Sequence, residues 1–392
     1  MLDGLRALPR TVWLLGLVSL FNDTTSELVY PLVPLFLASV LMAGPRALGI
    51  IEGIAEATAS LLKLFSGILV DRHGRAKGWV LAGYGLAALS RPLFYVAGSW
   101  PVVLALRFAD RVGKGLRTSP RDALLAGAAG ESRRGLAFGV HRAMDNAGAV
   151  IGPLIAAWLL AEGMALREVF LWAIVPGIAT LALALAIREP AAPTPRPCAA
   201  FSWTLAGFPP AFRRYLVVLA LFTLGNSSNM FLLLRAKELG LPEYQVPLLW
   251  ALTSAVAMIF STPLSALSDR LGRTRLILGG WIVYGLFYLG LGLDRFHPLL
   301  LWPLFACYGL FLAATEGAEK ALVADLAPSD RLGTAYGWFN LTAGVMLLPA
   351  SLLFGLIYQQ AGAPAAFAFS AGCALAAAAL LPGWALRRWG EA

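Results

Sequence analysis

Gly67-Ile68-Leu69-Val70-Asp71-Arg72-His73-Gly74-Arg75-Ala76-Lys77 closes one apolar run and opens the next through a knot of charge. Its centre, Asp71-Arg72-His73-Gly74-Arg75, recurs 198 residues later as Asp269-Arg270-Leu271-Gly272-Arg273. At the same offset Arg133-Arg134-Gly135-Leu136-Ala137-Phe138-Gly139 meets Arg331-Leu332-Gly333-Thr334-Ala335-Tyr336-Gly337. Two loops held in one register mark an internal duplication, and each copy sits between apolar stretches long enough to be helices.

The composition implies lipid as the solvent. Of the 392 residues 59% are hydrophobic and 14% charged, and the mean hydropathy is +0.72, a balance rare in a water-soluble chain of this size. A spanning helix needs roughly 20 mostly apolar residues, so about a dozen spans with short connections use up the whole length. The net charge of +9 comes from basic residues scattered singly in short loops, so no nucleic-acid partner is expected. Cys198, Cys307 and Cys373 are far apart and odd in number, which supports neither a disulfide framework nor a metal site. The first apolar run carries Asn22, Asp23 and Glu27 and lacks a small-residue cleavage site, so it reads as a first span.

Apolar runs between charged or Pro/Gly breaks predict spans over 11–38, 47–70, 79–98, 101–127, 136–160 and 168–187, then 214–237, 245–268, 276–293, 298–325, 333–358 and 363–386. The expected fold is therefore an all-α membrane protein of twelve transmembrane helices in two pseudo-symmetric six-helix bundles. Residues 1–187 form the N-terminal bundle and 214–392 the C-terminal one. The segment 188–213, with Pro190, Pro193, Pro195, Pro197, Pro209 and Pro210, reads as a cytoplasmic linker. Basic residues fall on one side: Arg6, Arg10, Arg72, Arg75, Lys77, Arg133, Arg134, Arg270, Arg273, Arg331 and Arg387 inside, against Arg46, Arg167 and Arg295 outside. Both termini are thus expected to be cytoplasmic, in a multi-pass cell (inner) membrane protein. Parallel six-span halves place a substrate site between them, near the bilayer midplane.

The loop 67–77 resembles the signature loop of the major facilitator superfamily (MFS). The resemblance implies that Asp71, Arg72 and Arg75, with Asp269, Arg270 and Arg273 as the second copy, act as gating loops of an alternating-access transporter. Gly148-Ala149-Val150-Ile151-Gly152-Pro153 is similar to the superfamily's antiporter motif, found mainly in proton-driven exporters, with Ala156-Ala157 where the motif carries a glycine pair. Arg107-Phe108-Ala109-Asp110-Arg111-Val112-Gly113-Lys114-Gly115 resembles the arginine-and-glycine motif of the fourth span but substitutes Asp110, Arg111 and Lys114 at three of its usual positions.

Charges at membrane depth are tolerated mainly beside a partner or a wet cavity. Asp23, Glu27 and Tyr30 stand at i, i+4 and i+7 on one polar stripe, widened by Asn22 and Ser26; Glu52, Glu56 and Lys63 share a face of the second span. Two readings of the intramembrane charges stand side by side: ion pairs that hold helices in register, or a functional site. On the second reading Asp23, Glu27 and Glu56 handle protons, because a carboxyl group in a low-dielectric cavity exchanges its proton as its surroundings change. The central cavity then draws on Asn22, Tyr30, Arg107, Asp110, Arg111, Lys114, Arg142 and Asp145 from the first half. Asn226, Asn229, Glu316, Trp338 and Asn340 serve from the second.

These readings combine into a secondary active transporter that moves a small-molecule solute through the lipid bilayer, by proton-coupled export (antiport). The alternative is proton- or cation-coupled uptake (symport), and a non-transporting receptor or scaffold is a further class. No phosphate-cradling loop supports ATP drive, and no nucleophile and base cluster supports an enzyme. No cofactor and no metal are expected, and the chain is read as a monomer. Substrate charge stays open between an organic anion, a cationic drug and a metal ion.

Overall fold

The computed structural model describes residues 8–73, 76–129, 134–187, 204–293, 297–328 and 332–386. Among them the regular structure is helical throughout, as a lipid solvent demands, because a helix satisfies its own backbone polar groups. The linker prolines 190–197 lie outside the described residues, as do Arg75 and the side chains of Asp71, Arg72, Asp269 and Arg270.

The chain forms two compact units. Unit 1 comprises Met1–Met42, Ile54–Ala199 and Pro242–Ala251, and unit 2 comprises Ala43–Gly53, Ala200–Leu241 and Leu252–Ala392. The short segments 43–53 and 242–251 thus pack with the unit opposite to their place in the sequence. They are related by the 198-residue offset of the repeat, so the exchange is itself pseudo-symmetric.

In unit 1, α1 (Arg10–Val29) stops where Pro31 removes a backbone donor, and α2 (Leu32–Ser39) resumes the path. They are followed by α3 (Pro45–His73), α4 (Lys77–Ser90), α5 (Trp100–Ala129), α6 (Arg134–Ala161), the short α7 (Leu166–Val169) and α8 (Ile174–Leu185). Helix α1 packs on α6 and α8, and α4 packs on α5. Small residues set the approach of α1 to α6 and of α4 to α5. A Cβ added at Gly148 would meet the Leu20 carbonyl and the Thr24 amide, and one at Gly152 the Thr24 carbonyl and the Leu28 amide. Gly83 of α4 and Gly113 of α5 likewise touch backbone to backbone. This is how helices gain dispersion contacts in lipid, which offers no hydrophobic drive between them.

In unit 2, α9 (Pro210–Gly225) breaks at Asn226–Asn229 before α10 (Met230–Glu238). The break falls one repeat length after residues 28–31, where α1 gives way to α2. Helices α11 (Val246–Leu271), α12 (Arg273–Leu291) and α13 (Leu301–Leu326) follow. The run α14 (Leu332–Leu380) is two helices end to end, broken at Gly362 (φ 85°, ψ 171°) ahead of Pro364. Gly49 and Gly53, at the start of α3, lie against Ser351 and Leu348 of α14. Stacked rings fill the core: Phe222 on Trp281 (4.4 Å), Tyr284 on Tyr288 (4.2 Å) and Phe287 on Tyr308 (4.6 Å).

Seven helical stretches are long and apolar enough to cross a membrane among the described residues: Ala137–Ala161, Leu166–Leu185, Pro210–Glu238, Glu243–Ser261, Arg273–Leu291, Pro298–Leu326 and Thr334–Ala385. The last contains the break at Gly362 and so covers two of the expected spans. The other expected spans are helical too. Charge sets α3 and α5 apart, through Glu52, Glu56 and Lys63 in one and Arg107, Asp110, Arg111, Lys114 and Arg117 in the other. Apolar side chains cover the outside: Leu89 is 67% exposed, Val175 64% and Leu286 60%. Such a surface needs a hydrocarbon neighbour.

The glycine seam between α1 and α6 yields the first prediction. Gly152→Leu should destabilise the protein by about 1–3 kcal/mol or more, because the new side chain meets backbone. Gly139→Ala, on the same helix with open space around it, should not lower stability. Thermal unfolding in detergent, followed by tryptophan fluorescence, separates the two.

Candidate functional site

Unit 1 gathers Glu56, Arg107, Asp110 and Arg111 into a network centred on Asp110, which is 1% exposed. Helix α5 carries Arg107 one turn before it and Arg111 directly after it. Arg107 Nη1 reaches Asp110 Oδ2 at 3.4 Å, and Arg111 Nη1 reaches the same oxygen at 3.7 Å. The closest cation comes from elsewhere. Arg91, where α4 ends before Pro92, places its Nε 2.9 Å from Asp110 Oδ1. Its Nη1 donates to the main-chain O and the Oδ1 of Asn22 on α1, at 2.9 and 3.0 Å. Three helices are tied together through one guanidinium, whose fixed fork of donors suits such a junction.

Glu56 on α3 takes Arg111 Nε at 2.9 Å, so Arg111 bridges two carboxylates on two helices. Arg107 also lies 5.3 Å over the ring of Tyr30, and Tyr30 packs against Trp250 with centroids 5.2 Å apart. Trp250 belongs to unit 1 through the exchanged segment, and its Nε1 donates to Glu27 Oε2 at 2.7 Å.

A second acidic group lies on the α1–α6 seam. Asn22 donates to Asp23 Oδ1 at 2.8 Å. The Asp23 carboxyl is within hydrogen-bonding reach of Asp145 on α6. Asp145 accepts from Ser19 Oγ at 2.5 Å and pairs with the half-exposed Arg142 at 3.6 Å. Gly148, one turn from Asp145, lies against the Asp23 Cβ, so the glycine is what lets the two carboxyls meet.

Unit 2 is built differently. Asn226 closes α9 and Asn229 opens α10, where its Oδ1 accepts from Tyr308 Oη at 2.6 Å. Glu316 is exposed and pairs with Lys320 at 3.1 Å. Asn340 is exposed and donates to the Tyr336 carbonyl one turn back at 2.8 Å; Trp338 is half-buried on the same helix. Glu52, which enters this unit at the start of α3, accepts from Ser228 Oγ at 3.0 Å. Arg273, in the second copy of the repeated loop, pairs with Asp325 of its own unit at 2.9 Å and donates to the Ala321 carbonyl.

Of the residues named from sequence, Asn22, Asp23, Glu27, Tyr30, Glu56, Arg107, Asp110, Arg111, Lys114, Arg142 and Asp145 stand in unit 1. Asn226, Asn229, Glu316, Trp338 and Asn340 stand in unit 2. Sequence reasoning passed over Arg91, the cation closest to Asp110, and Trp250, the donor to Glu27. Arg91 was detectable as a lone charge inside the apolar run 79–98. Trp250 carries no such sign, because only the exchange of segments brings it to α1.

A chain of two repeated halves whose regular structure is helical among the described residues, with an apolar outside and buried charge in unit 1, has the architecture of a polytopic membrane protein. The sequence profile of the Major Facilitator Superfamily matches residues 15–293 and 215–389, and the chain belongs to that family. Its relatives include an uncharacterised MFS-type transporter of Methanocaldococcus jannaschii, 32% identical over 90% of each chain. The multidrug resistance protein MdtH of Edwardsiella ictaluri is 26% identical over 80% of this chain and 78% of its own. The nucleoside transporter NupG shares the fold with a TM-score of 0.81 at 12% identity, over 96% of this chain and all (100%) of the NupG chain. The protein is thus a multi-pass membrane transporter and not an enzyme.

Removing the centre of the network tests its weight. Asp110→Ala leaves buried guanidiniums without their shared carboxylate and should cost about 3–5 kcal/mol. Glu316→Ala, which breaks an exposed pair, should cost under about 1 kcal/mol. Unfolding of the two purified variants by graded denaturing detergent measures the contrast.

Proposed function

We propose that this transporter is a proton-coupled exporter of a small solute, working as a monomer in the inner membrane with both termini cytoplasmic. The observation that carries the reading is the meeting of Asp23 with Asp145 at the seam where Gly148 and Gly152 bring α1 against α6. Two carboxyls that close are joined by a hydrogen bond only when a proton lies between them. Loss of that proton leaves two like charges side by side, and Asp23 is then drawn toward Arg117 and Lys114 of α5, its cationic neighbours. Where Gly148 and Gly152 meet the backbone of α1, few side chains stand in the way of a small shift of α1 along α6. The occupancy of one proton thereby biases two arrangements of the unit, which is the requirement for coupling. The likeness of residues 148–153 to the antiporter motif and the MdtH relatives support export as the direction.

Glu27 and Glu56 have different parts in this scheme. Glu27 is held by Trp250 and Glu56 by Arg111, so both report on the position of α1 and α3 while Asp23 exchanges the proton. The two copies of the repeated loop, Asp71, Arg72, Arg75 and Asp269, Arg270, Arg273, act as the gates.

A second reading, proton-coupled uptake, has one observation in its favour: cations outnumber carboxylates around α5. A proton that neutralises Asp23 leaves those cations to a negatively charged solute, which then travels with the proton.

The test is flux in proteoliposomes under an imposed pH gradient, with a panel of anionic, cationic and metal solutes. Asp23→Asn should abolish gradient-driven accumulation while solute exchange without a gradient persists. Undiminished accumulation by this variant would remove Asp23 from the coupling scheme. The direction of proton movement relative to the solute separates export from uptake.

A further inference from the structure

The cations of α3 and α5 are unequally served. Asp110 takes Arg91, Arg107 and Arg111, and Glu56 takes Arg111. Among the described residues no ion pair is formed by Lys63, Lys114 or Arg117, although all three lie within electrostatic reach of one another and of Glu56 or Asp110. Arg117 is 4% exposed, rests on the ring of Tyr84 at 4.9 Å, and has a buried Nη1 with no hydrogen-bond partner. A guanidinium that deep, with a donor unspent, is costly unless something negative visits it.

The three cations are held together deliberately. Ser66 Oγ donates to the Gly115 carbonyl and Ser119 Oγ to the Lys63 carbonyl, each at 2.8 Å. Gly115 has no side chain where Leu62 crosses it. These contacts pin α3 to α5 at the level of Lys63 and Lys114, against the repulsion of the two ammonium groups. Arg111, Lys114 and Arg117 follow at intervals of three along α5, so their side chains stay on neighbouring faces of the helix. Lys63 and Lys114 are half-buried, within reach of water.

We infer that Lys63, Lys114 and Arg117 form an anion-binding subsite, which takes a carboxylate or phosphate group of a small organic anion as the transported solute. Arg117 supplies directed donors, and the two lysines supply mobile point charges that match oxyanions of more than one shape. The inference deepens the transport reading by naming the solute's charge, and it does not depend on the direction of transport.

The test uses the full-length protein in phosphatidylcholine nanodiscs at constant ionic strength. Thermal unfolding is followed against citrate, inorganic phosphate and the cation tetraphenylphosphonium. Citrate or phosphate should raise the unfolding temperature saturably and tetraphenylphosphonium should not. Lys63→Gln and Lys114→Gln, each keeping side-chain length without the charge, should each raise the half-saturating concentration about tenfold, the loss expected for one charged contact. Stabilisation by the cation alone, or an unchanged oxyanion response in both lysine variants, overturns the subsite. So does disappearance of the response when phosphatidylglycerol is added to the disc, because a lipid headgroup is then the occupant. Asp23→Asn, which removes a carboxyl facing Lys114 and Arg117, should strengthen rather than abolish the oxyanion response, so a failure of proton coupling and a failure of this subsite are read separately.

Discussion

A charge inside the bilayer has to be answered by another charge, and in unit 1 that requirement converges on Asp110. Desolvating a carboxylate and three guanidiniums is costly, and mutual attraction offsets the cost only where the geometry is good and the remaining donors are used. Arg91 meets that condition most fully, with Nε on Asp110 and Nη1 on Asn22. The consequence is structural before it is functional. Helices α1, α4 and α5 are locked in register by polar contacts whose loss leaves a buried ion, and Glu56 adds α3 through Arg111. Groups that this network leaves over, Asp23 with Asp145 on one side and Lys63, Lys114 and Arg117 on the other, are the ones proposed to respond to a proton or a solute.

The duplication makes the asymmetry of the two halves measurable. One repeat length after Arg107, Asp110 and Arg111 stand Phe305, Tyr308 and Gly309. Tyr308 packs on Phe287 and donates to Asn229 where its counterpart Asp110 collects arginines. The same helix position therefore carries an ion network in one unit and an aromatic stack in the other. Both solutions fill the space between helices, but only the first brings groups that can exchange protons or hold an ion. The proposed proton and anion sites accordingly both lie in unit 1, while unit 2 contributes a core of stacked rings with Trp281 donating to Glu319.

Small residues supply the complementary property. At Gly148, Gly152, Gly83 and Gly113 a helix backbone comes directly against that of its neighbour, which gives lipid-embedded helices their closest packing. Smooth contacts of this kind resist separation more than sliding. The acidic pair proposed to exchange the proton sits on such a seam.

The sequence by itself determined the class of the fold: its apolar runs, its basic loops and the 198-residue repeat require a duplicated helical bundle in lipid, because hydropathy and periodicity are local properties. It also placed Asp23, Glu56, Asp110 and Arg111 among the functional candidates, since a charge within an apolar run is conspicuous without knowing its neighbours. Which charges answer one another was decided by the tertiary structure alone. Arg91 and Asp110 are far enough apart in sequence, and Glu27 and Trp250 much further, that no spacing rule connects them. The exchange of 43–53 and 242–251 between units has no local signature at all. Partners in an ion network are selected by which helix faces meet, and that is a property of packing.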